Sequence, residues 1–151
     1  MKNNLYMKIA IAEAEAASKR GDIPVGAVIV AADEKKILAR SGNMVEVNTD
    51  PTGHAEIIVL RKAALKLGAT RLSLCDIYVT LEPCAMCAQA ISFSRIRRVY
   101  FGAYDYKGGG VENGARIFNQ PTCHHVPEVI GGIEEEKCAN LLKDFFALRR
   151  K

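Results

Sequence analysis

The most demanding feature of this chain is Pro83-Cys84-Ala85-Met86-Cys87, set directly after the strand-like run Ile77-Tyr78-Val79-Thr80-Leu81. With it goes His54-Ala55-Glu56, which opens a largely apolar segment from Ile57 to Leu67. One imidazole and two thiols form the ligand set that Zn²⁺ prefers. A fold that uses them together must bring His54 beside Cys84 and Cys87. Three protein ligands leave the fourth tetrahedral position for water, which points to a catalytic zinc and not a structural one. Cys84 and Cys87 are three apart, so a helix starting near Cys84 places both sulfurs on one face of its first turn. A helix N-terminus also lowers thiol pKa and favours the thiolate that metal binding requires. Two thiolates neutralise the divalent charge, and His54 adds a neutral nitrogen. Glu56 is left free to carry protons to and from an activated water.

Each half alone has plainer readings. Cys-x-x-Cys also fits a redox pair or half of a closed structural zinc site. The fourth ligand of a closed site would come from Cys75, Cys123, His124 or His125. The joint occurrence of both halves, with Pro83 directly before the first Cys, favours the catalytic reading.

The rest of the chain bounds the fold. At 151 residues it reads as one domain, residues 1–151, with room for a sizeable core. Hydrophobic residues make up 49%, yet no apolar run approaches the roughly 20 residues that span a bilayer. Met1 to Tyr6 lacks the apolar core of a signal peptide, and five Cys is an odd count that suits reduced thiols. The expectation is a cytoplasmic protein without a membrane segment. A net charge of +4 is compatible with nucleic acid but does not establish it.

In order, Leu5 to Arg20 reads as a helix stopped by Gly21, and Val25 to Ala31 as a buried strand. Ile37 to Arg40 reads as its partner, across the polar turn Asp33-Glu34-Lys35-Lys36. Asn43 to Gly53 reads as a loop delivering His54 to a helix that ends at Leu67. Then come the strand Ile77 to Leu81, the Cys helix to Ser94 and the strand Arg97 to Ala103, a right-handed parallel crossover. Lys107 to Gly114 reads as a flexible loop bordering the site; it lacks the Gly-Lys-Ser/Thr ending of a phosphate cradle. Val126 to Ile130 is a last strand, weakened by Pro127, and Glu134 to Arg149 an amphipathic helix. The fold class is α/β: a mixed central sheet with helices on both faces, three layers α/β/α.

His-x-Glu followed by Pro-Cys-x-x-Cys resembles the known signature of the zinc nucleobase deaminases. Longer stretches resemble the bacterial tRNA-specific adenosine deaminases. They are Ile23 to Val28, Asp50 to Ile57, Tyr78 to Cys87, Ser94-Arg95-Ile96 and Val99 to Ala103. The resemblance runs from about Met7 to Arg150. It implies a cytidine deaminase-like fold, one Zn²⁺ per subunit and hydrolytic conversion of wobble adenosine to inosine in a tRNA anticodon stem-loop, that of an arginine tRNA. It also implies a homodimer. On it, Glu56 is the catalytic proton carrier and His54, Cys84 and Cys87 are the metal ligands. Asn43, Asp105, Asp22 and His124 match residues near the substrate. Gly53 stands where many relatives carry Ala, and Cys123 where some place Asn before the late His. Arg95, Arg97, Arg98, Lys107, Arg149, Arg150 and Lys151 are candidate phosphate contacts. The metal site alone does not choose the base. A free-nucleobase or nucleoside deaminase, acting on cytosine, cytidine or guanine, shares it. A non-catalytic RNA-binding subunit with structural zinc is a third reading, and the presence of Glu56 counts against it.

Overall fold

The computed structural model describes residues 2–149. Its elements are α1 (Lys2–Lys19), β1 (Gly26–Ala31), β2 (Lys36–Gly42), α2 (Val45–Asn48), α3 (Ala55–Leu67), β3 (Cys75–Leu81), α4 (Ala85–Phe93), β4 (Arg98–Ala103), a 3-10 turn (Ile117–Asn119), β5 (Glu128–Ile130) and α5 (Glu135–Arg149). The five strands form one sheet in the order β2-β1-β3-β4-β5. β1 is antiparallel to β2 and to β3, and β3, β4 and β5 are mutually parallel along the sheet.

Strand alternation divides the core in two. Ala27, Ile29, Ile77, Val79, Val99 and Phe101 pack on one face with Ala55, Val59 and Ala63 of α3 and Ala88 and Ile91 of α4. Val28, Val30, Tyr78 and Tyr100 point the other way, onto Tyr6, Met7 and Ala10 of α1 and Cys138 of α5. Successive strand residues face opposite sides, so a strand buried on both faces must be apolar throughout, as β1 is. The expected α/β/α layering and mixed sheet are therefore what the chain adopts. α1 lies so close to β1 that a Cβ on Gly26 would fall 1.9 Å from the Ala10 carbonyl oxygen. Only glycine fits there.

The element boundaries show where local signals ran short. Asn43 to Gly53, expected as loop, contains the one-turn helix α2. The cause is tertiary: the Asp22 carboxylate accepts the Glu46 N–H at 2.9 Å, capping that turn from outside it. The last strand starts at Glu128, not Val126, because Pro127 has no N–H to give the ladder, whereas the Glu128 N–H bonds the Arg97 carbonyl at 3.0 Å. Among the described residues no helix is long and apolar enough to cross a membrane.

Strand direction sets where a site can form. Two antiparallel steps make β2 run the same way as β3 and β4, while β1 runs opposite. The ends of β2, β3 and β4 and the start of β1 thus share one edge of the sheet. Asn43, Glu82 to Cys84, Tyr104-Asp105 and Asp22 are the residues that leave or enter the sheet along that edge. Carboxyl ends of strands are where α/β sheets place their ligand crevices.

Candidate active site and metal centre

Both helices that carry the predicted ligands start at this edge. His54 is the N-cap of α3 and Cys84 the N-cap of α4, each with extended backbone. Glu56 and Cys87 lie in the first turns of the same two helices. The His54 Nδ1 is 3.6 Å from the Cys84 Sγ and 3.5 Å from the Cys87 Sγ. A tetrahedral zinc with Zn–S of about 2.3 Å and Zn–N of about 2.0–2.1 Å sets sulfur and nitrogen about 3.6 Å apart. The donor set therefore fits zinc in chemistry and in spacing. Among the described residues His54, Cys84 and Cys87 form the group able to hold a metal ion, all three ligand atoms lying within 4.8 Å of one another. No fourth His or Cys joins them. Cys75 is buried in β3, the Cys123 thiol bonds the His125 carbonyl at 3.2 Å, and the His125 ring bonds the Ile96 carbonyl at 2.6 Å. The ligand set is that of an open site, not a closed structural one.

Glu56 is buried, and its Oε1 has no hydrogen-bond partner. An unpaired buried carboxylate oxygen costs stability, which makes Glu56 a candidate functional residue. Burial pushes the Glu56 carboxyl up to about 7, the range in which a group both accepts and releases protons at neutral pH. The ligands share protons among themselves. A hydrogen bond from the Cys87 thiol, aided by His54, brings Cys84 down to about 4 against the opposing effect of burial. That same bond to Cys84, with burial, pushes Cys87 up. His54 is raised by its bond to Cys84. At neutral pH a thiolate at Cys84 thus holds the proton of Cys87, which zinc must displace because only thiolates ligate. Zinc added to metal-free protein at pH 7 is expected to release on the order of one proton or more per ion. Calorimetry in buffers of different ionisation enthalpy measures this; binding without proton release would contradict it.

The ligands open onto a pocket of about 490 Å³, within the usual range for small-molecule sites. Asp22, Asn43, His54, Glu56, Cys84 and Asp105 all line it. Asn43 is buried, and its Oδ1 accepts the Ala55 N–H at 2.9 Å. That bond caps the helix carrying Glu56 and commits the oxygen. Asp22 spends both carboxylate oxygens on backbone, the Ile23 N–H at 3.1 Å and the Glu46 N–H at 2.9 Å. Asp105 turns its own loop, its Oδ1 accepting the Lys107 and Gly108 N–H groups. His124 is exposed and is not among the lining residues.

The basic residues divide. Arg97 makes a two-pronged bond to Asp76 at 3.0 and 2.9 Å, and Arg98 pairs with Glu128. Arg149 lies 3.6 Å over the Phe145 ring, and both line the pocket. Arg150 and Lys151 lie outside the described residues. Phe145 was not singled out in the sequence, where it looks like one more apolar position of an amphipathic helix. Glu82 was missed as well. It is buried and gathers five hydrogen bonds from residues 105–113, which no local spacing announces.

Comparison with known proteins agrees with this geometry. Residues 1–103 match the family model described as the cytidine and deoxycytidylate deaminase zinc-binding region. The chain is 52% identical over 145 residues to a tRNA-specific adenosine deaminase of Agrobacterium fabrum, covering 96% of this chain and 94% of that protein. It is 42% identical to a tRNA-specific adenosine deaminase of Bacillus subtilis, covering 99% and 91%. A solved structure from studies of A-to-I editing by tRNA:A34 deaminases at the wobble position superposes with a TM-score of 0.89 at 52% identity, covering 91% of this chain and 99% of that one. A guanine deaminase from Bacillus subtilis is more distant, with a TM-score of 0.65 at 31% identity over 97% of this chain and 93% of that one. The chain belongs to the cytidine and deoxycytidylate deaminase zinc-binding family, within the branch of the tRNA-specific adenosine deaminases.

Proposed function

We propose that this protein deaminates the wobble adenosine of a tRNA anticodon loop to inosine, with Glu56 as its proton carrier. The observation that carries the reading is the unpaired, buried Glu56 oxygen beside a three-ligand zinc set. The choice of base and of RNA rests on relatives at 42–52% identity that are tRNA-specific adenosine deaminases.

His54, Cys84 and Cys87 would hold the ion. Bound zinc supplies Lewis acidity that brings water's ionisation towards neutral pH. Glu56 takes the proton from the attacking water and delivers it to the ring nitrogen next to the amine-bearing carbon. Hydroxide adds to that carbon. Glu56 then takes the proton of the added hydroxyl and carries it to the amine. The C–N bond breaks as the C=O forms and ammonia leaves, so that adenosine and water give inosine and ammonia. Burial of the Glu56 carboxyl favours its protonated form, which suits a group that must release a proton as well as take one. Asn43 has its Oδ1 committed to Ala55, which leaves its amide N–H groups for the base. Asp105 offers its second carboxylate oxygen toward the ribose, and Asp22 acts through α2 by holding the Glu46 N–H in its first turn. His124 contacts the RNA from outside the pocket.

The base must leave its stack to enter, and loop bases cost least to extract. We take the arginine tRNA anticodon stem-loop as substrate, a homodimer as the working form and the cytoplasm as the compartment. Inosine formation in such a stem-loop, compared with ammonia release from free nucleosides, tests the reading. Deamination confined to the stem-loop is expected; activity confined to free cytidine, cytosine or guanine would replace it with the nucleoside-deaminase reading. Stem-loop affinity is also expected to fall steeply between about 50 and 200 mM salt as phosphate counterions are released. A salt-independent affinity would argue against a phosphate-contacting surface.

A further inference from the structure

Glu82 stands between β3 and Pro83, 1% exposed. It belongs to neither the ligand set nor the proton path. Its Oε1 accepts the Asp105 N–H at 3.0 Å and the Asn113 side-chain amide at 2.8 Å. Its Oε2 accepts the N–H groups of Val111, Glu112 and Asn113 at 3.1, 2.8 and 3.0 Å. All five donors lie in the loop that follows β4. Five N–H groups converging on one point repel one another unless a negative charge sits there. The ionised carboxylate is thus the organising element, and such charge-assisted bonds are the strong ones.

The same loop is seated against the metal helix. The Gly110 N–H bonds the Pro83 carbonyl at 2.8 Å. A Cβ on Gly110 would fall 2.5 Å from the Ala85 nitrogen, and one on Gly109 would fall 2.5 Å from the Glu82 Oε2. The glycines are there because backbone, carboxylate and helix start touch directly. Asp105, tied to Glu82 through its N–H, presents its side chain to the pocket that Cys84 and Glu56 also line.

We propose that Glu82 is a positioning residue that fixes residues 105–113 as a rigid wall of the pocket, and so governs how tightly substrate is engaged and not whether the metal is held. The substrate in question is the one named under Proposed function, and the inference rests on that reading. Glu82→Gln keeps the size, removes the charge and turns one acceptor into a donor facing other donors. Asn113→Ala removes one donor and leaves the charge, a milder change that spares the fold.

Both variants are compared with the zinc-loaded full chain by KM for the stem-loop, single-turnover rate at saturating RNA, zinc content and amide exchange. For Glu82→Gln, KM is expected to rise about tenfold or more. The saturating rate stays within about threefold and zinc is retained. Exchange at Val111, Glu112 and Asn113 speeds by about a hundredfold. Asn113→Ala shifts KM and exchange the same way by less, and decides the matter alone if Glu82→Gln does not fold. An unchanged KM overturns the proposal, as does loss of zinc or a loss of rate without a rise in KM. If the wild-type chain forms no inosine, the functional reading fails instead, while amide exchange still reports whether Glu82 holds the loop.

Discussion

Glu56→Gln is expected to lower turnover on a stem-loop substrate by roughly a thousandfold, a magnitude typical of losing a positioned proton carrier. Zinc content should be unchanged, because Glu56 is not one of the clustered ligands. The variant should also be the more stable protein when metal-free. Burial raises the folded-state carboxyl to about 7 from an ordinary 4.5. A raised carboxyl contributes stability that is fully present below about pH 4.5 and lost as pH rises through about 7. Above that window the wild-type chain bears a buried charge that the amide lacks, a difference on the order of 3 kcal/mol. Denaturant melts of both metal-free proteins at pH 4.5 and pH 8 measure it. Near-normal turnover in Glu56→Gln with full zinc would remove Glu56 from the chemistry. A wild-type advantage at pH 8 would remove the strain assigned to it. The same side chain that costs stability would carry function, the usual trade at active sites.

Cys87→Ala is expected to fail differently, losing zinc and activity together. Cys87 is fully buried at the start of α4, where its thiol bonds Cys84 and its Sγ lies 3.5 Å from the His54 Nδ1. Removing it leaves two ligands, too few for tight zinc binding. A ligand held only by the folded state at about a thousand times its Kd stabilises that state by about 4 kcal/mol. Chelation should therefore lower the melting temperature of the wild-type chain and leave that of Cys87→Ala almost unmoved. Zinc analysis and paired melts check both. Retention of a full zinc complement in Cys87→Ala would require a ligand set other than His54, Cys84 and Cys87.

The metal set was legible because its information is local. Two short segments carry the ligand types, and the apolar strand Ile77 to Leu81 and the helix from Ile57 to Leu67 fix where they start. The layers were legible for the same reason: β1 is apolar at consecutive positions because both of its faces are covered. What stayed hidden depends on tertiary partners. Asp22 gives both oxygens to backbone N–H groups far from any spacing rule. Asn43 uses its oxygen to start the helix that carries Glu56. The Gly-rich run from Lys107 to Gly114 looked mobile because glycine has no side chain to pack. What local spacing hides is Glu82, a residue more than twenty positions earlier, whose carboxylate accepts the N–H groups of Val111, Glu112 and Asn113. Arg97 and Arg98 looked free for phosphate because Asp76 and Glu128 are not their sequence neighbours.

Zinc returned stepwise to chelated protein, with inosine in the anticodon stem-loop recorded at each step, tests the central claim most directly. Inosine formation should rise in proportion to added zinc and level off at one ion per chain. Full turnover before any zinc is added, or none at one equivalent, would contradict the account.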